Sequence, residues 1–533
     1  METPTTTPPG SPDEPERRGP MGVFLDGIEW VGNKLPHPVV LFALFAFGVV
    51  LLSGLAGWLD LTVEDPRPPG ARGRSEDGLI KAVSLMNAAG LRRIVTSLVS
   101  NFTNFKPLGT VLVALLGVGV AEASGMLSAG VRAAVQGAPR HMVTVTVVFA
   151  GVLSNTASEM GYVVLIPLAA VIFHALGRHP MAGLAAAFAG VSGGYSANLL
   201  IGTVDPLLSG ITEEAARLID PSYTVHPAIN WYFMAISTFL ITGLGTWVTT
   251  RIVEPRLGEY DPSRAEEGVE ATSLEPLTDL ERRGLLWAGV ATLVLGGVLA
   301  LSVVPSWGVL RNPETGEVLN SPFLKGMVTL IFVFFFVPGL VYGRVTGTMK
   351  DHRDVVDGMA TAMGSLGLYI VLVFFAAQFV AYFGWTNLGA IFAVTGANVL
   401  KGIGLTGSLV FVPFILMCCM VNLALGSASA QWAVTAPIFV PMLMLLGYSP
   451  EVIQAAYRIG DSTTNIITPM MSYFGLILAF ANRYDRELGI GTIVSMMVPY
   501  TLAFLSGWMV LFYLWVFVLG LPVGPEAPTF YTP

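Results

Sequence analysis

Two strings decide the fold: Gly193 to Pro206, with the sequence GGYSANLLIGTVDP, and Gly460 to Pro469, with the sequence GDSTTNIITP. Each string interrupts a long apolar segment and combines glycine, hydroxyl residues, asparagine and a final proline. An interrupted helix leaves N–H and C=O groups that lipid cannot satisfy, so at membrane depth such backbone must lie against protein or a watery cavity. Both strings therefore predict broken helices that face a polar interior.

The segments around these strings are apolar enough for a membrane. Of the 533 residues, 53% are hydrophobic and 12% are charged, which is about half the charged fraction of a typical soluble domain. Runs of about 20 apolar residues match the hydrocarbon core of a bilayer. We predict an all-α integral membrane protein with nine transmembrane helices, at residues 39–59, 110–127, 181–204, 229–253, 285–304, 324–343, 359–383, 452–480 and 492–519.

Two further apolar stretches, 141–176 and 405–446, are each predicted to begin and end on one side of the membrane. Polar residues interrupt them near their middles, so we expect re-entrant helical hairpins with polar tips. A hairpin followed by a broken helix thus occurs twice, at 128–210 and 400–482, and enters from opposite faces as an inverted repeat. Close helix packing by small residues is the alternative explanation. We expect the hairpins and broken helices to rock, or to move as an elevator, against a scaffold of the remaining helices.

Basic residues predict the orientation. Lysine and arginine collect in four segments, at 132–140, 251–283, 344–353 and 483–486. The positive-inside rule makes these segments cytoplasmic, which places the amino terminus inside and residues 205–227 and 306–322 outside. Residues 1–22 are predicted to be a disordered cytoplasmic tail, and residues 23–533 to be one transmembrane domain of the inner membrane.

Composition also argues against several classes of protein. The net charge is −8, and no basic stripe alternates with aromatic residues as a nucleic-acid groove requires. The only cysteines, Cys418 and Cys419, are adjacent in an apolar run, which suits neither a long-range disulfide nor a metal framework. No phosphate-binding or zinc-hydrolase motif occurs. We predict a secondary transporter that uses no cofactor and is not an enzyme. A channel, or an intramembrane enzyme with Asp205 and Asp461 as a dyad, is the rival hypothesis, but paired broken helices favour a carrier.

Charged residues inside the spans are candidates for the transport site, because such residues usually mark a pathway. Arg458 and Asp461 lie three apart, so they share a helical face and we expect an ion pair between them. Our hypothesis is that Arg458 holds a substrate carboxylate while Asp461 orients it or exchanges a proton; a purely structural pair is the alternative. Asp205 either caps the next helical segment or couples transport to an ion.

Polar and aromatic residues near the breaks complete the candidate site. Trp432 could stack on an aromatic ring of the substrate or could simply pack, and Ser429 on the same side of its helix could donate a hydrogen bond. Neutral oxygens beside broken backbone suit a sodium ion or cap helices; they belong to Asn155, Thr156, Asn198, Asn422 and Asn465.

The strings 194–206, 427–432 (SASAQW), 457–462 (YRIGDS) and 465–469 (NIITP) resemble the p-aminobenzoyl-glutamate transporter (AbgT) family, over nearly the whole chain after Val23. The resemblance implies a homodimer with nine spans and two hairpins in each protomer, related to divalent-anion/sodium symporters, whose Ser-Asn-Thr signature is similar to Ser154-Asn155-Thr156. It also implies functional positions at Asp205, Ser429, Trp432, Pro450, Arg458, Asp461 and Pro469.

The function implied by the resemblance is uptake of p-aminobenzoyl-glutamate, or efflux of sulfonamide-type antimetabolites and hence antibiotic resistance. A proton or sodium gradient would drive it. A sodium-coupled dicarboxylate symporter is the alternative.

Overall fold

The structure is a computed structural model of the chain, and it describes residues 36, 38–67, 69–70, 74–157, 161–265, 276–318, 321–486 and 488–532. The predicted tail at 1–22 and the hairpin-tip residues Ser158 and Glu159 lie outside these ranges.

The described residues are mostly helical. The first half contains α1 Pro38–Trp58, α2 Ala88–Thr103, α3 Lys106–Ala123, α4 Met126–Gln136, α5 Val143–Ser154, α6 Ile166–Ala175, α7 Pro180–Phe188, α8 Val204–Ala216, α9 Trp231–Val248 and α10 Glu254–Leu257. The second half contains α11 Asp279–Val303, α12 Pro322–Lys325, α13 Met327–Thr346, α14 His352–Ser365, α15 Gly367–Trp385, α16 Leu388–Gly402, α17 Phe411–Leu425, α18 Ala428–Met444, α19 Pro450–Thr464, α20 Phe474–Asn482 and α21 Ile490–Phe512.

One small sheet departs from the all-α prediction. Strands β1, Thr62–Glu64, and β2, Leu79–Lys81, pair antiparallel between α1 and α2. Strands of three residues are too short to leave a periodic pattern in the sequence. The segment between the predicted spans 39–59 and 110–127 therefore contains both a β-ribbon and helix α2.

Eight helices of the described chain are long and apolar enough to cross a membrane. They are Pro38–Trp58, Ala88–Ala123, Trp231–Leu257, Asp279–Val303, Met327–Thr346, Gly367–Trp385, Ser408–Leu425 and Ile490–Val518. The predicted spans 181–204 and 452–480 are instead divided into shorter helices, because the polar strings interrupt them. Ser408–Leu425, which we assigned to a hairpin, is long enough to cross.

Both predicted interruptions are present. In the first half, α7 continues as a π-helix to Gly193, and helix resumes only at Val204. In the second half, α19 ends at Thr464, a short 3₁₀ turn follows, and helix resumes at Phe474. Each broken helix follows a pair of short helices, α5 with α6 and α17 with α18. The second pair turns at Gly426, where φ is 47°, a left-handed backbone conformation that favours glycine.

Helix α3 is the centre of a closely packed group with α13 and α14. A Cβ atom at Gly117 would lie 2.3 Å from the carbonyl oxygen of Phe332 on α13, and one at Gly119 would lie 2.4 Å from the Ala362 Cβ on α14. Small residues let helix backbones approach this closely in membranes. These helices, with α11 packed on α13, lie in the segments that we predicted to form the scaffold.

Loops predicted to share a side of the membrane lie together. At one end, Arg178 pairs with Glu254 at 2.6 Å and Arg264 lies 3.6 Å from Asp485, which joins the loop after α10 to the one after α20. At the other end, residues 224–227, Lys325 and the carboxyl-terminal segment line a common cavity. Arg264 and Asp485, from the basic segments at 251–283 and 483–486, therefore lie together, as the charge pattern predicts.

Candidate transport site

A polar cavity of about 240 Å³ lies where both pairs of short helices meet both interruptions. Its wall includes Asn155, Tyr195, Ser427, Ser429, Asn465 and Tyr473. The predicted site residues Asn155, Ser429 and Asn465 therefore face one space, although they come from distant parts of the chain. A concave site with a few convergent polar groups is the usual form of a small-molecule site.

The end of α5 is tied to the first interruption. The Asn155 side-chain amide donates to the Val191 carbonyl at 2.9 Å, and the Thr156 hydroxyl donates to the Asn198 side-chain oxygen at 2.9 Å. Ser154 donates to the Gly151 carbonyl within its own helix, at 2.6 Å. Side chains thus satisfy part of the backbone that the interruption frees, as a non-aqueous interior requires.

The end of α17 is tied to the second interruption in the same way. The Asn422 side-chain amide lies 2.6 Å from the Asp461 carbonyl, 2.9 Å from the Thr464 hydroxyl and 2.8 Å from the Asn465 side-chain oxygen. Asn422 and Asn465 are 43 residues apart, and Asn155 and Asn198 have the same separation in the sequence. Each half therefore has one asparagine at the end of a short helix and another 43 residues later in an interruption; Asn422 contacts Asn465 directly, whereas Asn155 bonds to Val191 and Asn198 to Thr156.

The two interruptions also contact each other. The Ser196 backbone N–H donates to the Ser462 hydroxyl at 3.1 Å, and the Asn465 amide lies 3.5 Å from the Ser192 carbonyl. The Ser192 hydroxyl also lies 3.1 Å from the sulfur of Met471. These contacts place the two interruptions next to each other.

Arg458 forms its ion pair with Asp205 and not with Asp461, which corrects the pairing expected from their spacing. Both partners are buried, at 3% side-chain exposure. The second Asp205 oxygen accepts the Gly202 N–H at 2.7 Å, and the Arg458 Nε donates to the Asn230 side-chain oxygen at 3.1 Å. Helical spacing identifies only neighbours on one helix, whereas here the contact between α8 and α19 decides the partner.

Asp461 is completely buried, and neither carboxylate oxygen has a well-aligned hydrogen-bond partner among the described residues, because the Tyr457 hydroxyl beside it donates to the Ala428 carbonyl. The side-chain oxygens of Asn422 and Gln431 also lack partners in that part of the chain. An ionised carboxylate is costly in such surroundings unless it is paired. The position therefore suits a carboxyl group that binds a proton or a cation.

Trp432 lies behind the cavity and not in its wall. Its indole is fully buried and stacks on Tyr457, with the ring centroids 4.2 Å apart and an interplanar angle of 24°. The indole N–H donates to Thr212 at 2.9 Å, and the Tyr457 hydroxyl donates to the Ala428 carbonyl at 2.6 Å. The pair therefore fixes the start of α18 against α8 and α19.

The aromatic surface of the cavity comes from tyrosines that our sequence reasoning missed. Tyr162 and Tyr473 line it together with Tyr195, and the first two rings stack with centroids 4.6 Å apart and an interplanar angle of 10°. Each of the three tyrosines lies within a few residues of a polar tip or interruption, which is a signal that could have found them.

The two predicted prolines mark helix boundaries. Pro450 is the first residue of α19, after the N-cap Ser449, and Pro469 follows the 3₁₀ turn of the second interruption. Proline lacks an N–H and is tolerated at the first turn of a helix, where that group has no partner. Both positions set where helix can begin or must end.

The sequence model of the family described as "AbgT putative transporter family" matches residues 23–531. The chain belongs to the AbgT transporter family. It is 38% identical over 505 residues to the p-aminobenzoyl-glutamate transport protein of Escherichia coli (strain K12). The aligned region covers 95% of this chain and 96% of that protein. Like other members of this family, it is a multi-pass membrane transporter.

Two solved AbgT-family structures resemble the fold. MtrF of Neisseria gonorrhoeae, described as illuminating a class of antimetabolite efflux pumps, is 60% identical to this chain, and the two structures superpose with a TM-score of 0.89. The match covers 95% of this chain and 100% of the MtrF chain. The Alcanivorax borkumensis YdaH transporter, described as having an unusual topology, is 46% identical with a TM-score of 0.85, over 92% of this chain and all of that one.

Proposed function

We propose that this protein is an ion-coupled secondary transporter of the inner membrane that moves p-aminobenzoyl-glutamate or sulfonamide-type antimetabolites. The observation that carries the proposal is the polar cavity at the meeting point of the two interruptions. The printed names of the relatives supply the class of solute. Transport, and not catalysis, is the activity that this site supports.

The proposed architecture is a homodimer whose protomers have nine crossings and two re-entrant hairpins in an inverted repeat, related to divalent-anion/sodium symporters. The equal spacing of the two asparagine pairs supports the repeat. The proposal includes a cytoplasmic amino terminus, which the distribution of basic residues supports. Movement of the hairpins and broken helices against the α3 group would expose the cavity to each side in turn.

The cavity has the groups that such a solute needs. The Ser427 and Ser429 hydroxyls can donate to an amide or carboxylate oxygen, and Tyr162 and Tyr473 present an aromatic face to an aminobenzoyl ring. Arg458 lies behind this wall and is held by Asp205. A substrate carboxylate would compete with Asp205 for the guanidinium, an interaction that bidentate geometry favours.

Asp461 is the proposed coupling residue, because it is a fully buried carboxyl group that forms no ion pair among the described residues. A proton on one of its oxygens would remove its charge. A sodium ion bound by Asp461 and the nearby Asn422 oxygen would compensate that charge instead, since hard cations prefer oxygen ligands. A proton would therefore leave Asp461 neutral, whereas sodium would need Asp461 in its ionised form.

The test is transport in proteoliposomes that contain only this protein. Labelled p-aminobenzoyl-glutamate and a labelled sulfonamide are offered under a proton gradient alone, a sodium gradient alone, and neither, with counterflow measured in parallel. We expect counterflow of one or both solutes and accumulation under one of the two gradients. Flux of both solutes without counterflow would indicate a channel, and no flux of either would contradict the proposal.

A further inference from the structure

A second cavity, of about 380 Å³ and lined by both polar and apolar residues, lies at the end of the molecule formed by residues 224–227, α12 and the carboxyl-terminal segment. Thr224 and Lys325 in its wall are exposed, so the cavity reaches solvent. Glu451, the second residue of α19, lies in the inner wall and is only 3% exposed. The cavity therefore connects solvent to a buried carboxylate outside the transport site described above.

Glu451 is held by neutral donors, namely the Tyr223 and Ser449 hydroxyls and its own backbone N–H, and by no ion pair among the described residues. Its two carboxylate oxygens lie 3.0 and 2.9 Å from the Tyr223 hydroxyl. The charged groups that face it from neighbouring elements have other partners or point to solvent. Lys106 pairs with Glu213, His226 lies 3.0 Å from the Pro525 carbonyl and 3.9 Å from Glu526, and Lys325 is exposed.

Short contacts connect Glu451 to the central ion pair. The Glu451 carbonyl accepts the Asn230 side-chain amide at 2.8 Å. The Asn230 side-chain oxygen in turn accepts the Arg458 Nε at 3.1 Å and the Gln454 amide at 2.8 Å. Because Arg458 is the partner of Asp205, a displacement of the first turn of α19 acts through one asparagine on that pair.

We propose that Glu451 is a proton-binding residue of the transport cycle, loaded from and emptied into this second cavity. The inference rests on the proposed ion-coupled transport and adds a residue to it. A proton passes from a hydronium ion in the cavity to a Glu451 carboxylate oxygen, which leaves water and a neutral carboxylic acid; release reverses the step. A buried carboxylate whose donors are all neutral gains from neutralisation, and the change in charge occurs at the turn that positions Asn230.

Glu451→Gln is the variant to test, because glutamine keeps the size of the side chain and an oxygen that can accept from Tyr223. The first readout needs no substrate: pH-difference infrared spectra of the purified protein report the carbonyl band of protonated carboxylic acids. We expect the Glu451→Gln spectrum to lose one such band. Glu214→Gln is the matched control, since Glu214 on α8 lines a different cavity. The band that is lost in Glu451→Gln should remain in the spectrum of this control.

The second readout separates coupling from folding in proteoliposomes. Glu451→Gln should retain counterflow of p-aminobenzoyl-glutamate within about twofold of the wild type, while accumulation under an imposed pH gradient falls at least tenfold. An unchanged infrared spectrum, retained accumulation, or an equal loss of counterflow and accumulation would each overturn the inference. A wild type that exchanges solute but responds only to sodium would also overturn it while leaving transport itself established, whereas a wild type without any flux would remove the proposed function as well.

Discussion

Arg458 on α19 and Asp205 on α8 form a buried ion pair although 253 residues separate them in the chain. The pair joins the helix after the first interruption to the helix before the second. Removing one partner of a buried pair leaves an uncompensated charge, which typically costs about 3–5 kcal/mol. The pair thus connects the two halves of the transport site through a contact that tolerates little change.

The first prediction concerns this pair. Asp205→Ala and Arg458→Ala should each abolish transport and lower the thermal unfolding temperature in detergent. The double variant should be less destabilised than the sum of the single variants, because it leaves no lone charge behind. Thermal unfolding of the four proteins measures the difference, and additive losses would show that the pair contributes no mutual stabilisation.

The second prediction concerns the close approach of α17 and α19. A Cβ atom at Gly460 would lie 2.5 Å from the Cys418 Cβ and 2.7 Å from the Ile415 carbonyl oxygen. Gly460→Ala should therefore cost about 1–3 kcal/mol through overpacking and reduce transport. Gly475→Ala on α20 is the control, because no atom lies within 4 Å of the added methyl group. Equal behaviour of the two variants in a thermal unfolding assay would contradict the packing argument.

The third prediction concerns the cavity wall. Ser429 is half-buried and lines the polar cavity, where its hydroxyl lies 3.4 Å from that of Ser427. Ser429→Ala should raise the KM for p-aminobenzoyl-glutamate about fivefold, which corresponds to one hydrogen bond of about 1 kcal/mol. The unfolding temperature should not change. Ser365→Ala, which removes an exposed hydroxyl on α14, should leave KM unaltered, and a similar KM for both variants would exclude Ser429 from substrate binding.

The fourth prediction separates asparagines that serve transport from those that only hold helices together. Asn422→Ala removes contacts to Asp461, Thr464 and Asn465 and should reduce the transport rate at least tenfold. Asn101→Ala removes a 2.9 Å hydrogen bond to Gln378 between α2 and α15. It should lower stability by about 1 kcal/mol while initial transport rates persist. Comparable rate losses in both variants would argue that Asn422 has a structural role alone.

The sequence predicted the interruptions because lipid imposes a rule on backbone: polar strings such as 193–198 cannot continue as lipid-facing helix. It also placed Asn155, Ser429 and Asn465 near one site, since each accompanies a break. The partner of Arg458 could not be predicted in this way. Local spacing favoured Asp461, and only the packing of α8 against α19 brings Asp205 closer.

Other features left little or no pattern in the sequence. The β-ribbon consists of strands of three residues, which is too short for periodicity to appear. Trp432 looked available for stacking, but its ring contacts Tyr457. That contact depends on the angle between α18 and α19, which composition does not encode.

The hydrogen bond from the Ser196 backbone N–H to the Ser462 hydroxyl joins the first interruption to the last turn of α19, just before the second interruption. Because the donor is a backbone N–H, a chimera that takes residues before 300 from one relative and the remainder from another would have to preserve the hydroxyl at position 462 and the backbone conformation at position 196. We therefore expect a chimera to transport only when its two halves form this contact. Its substrate preference should then depend on both halves together.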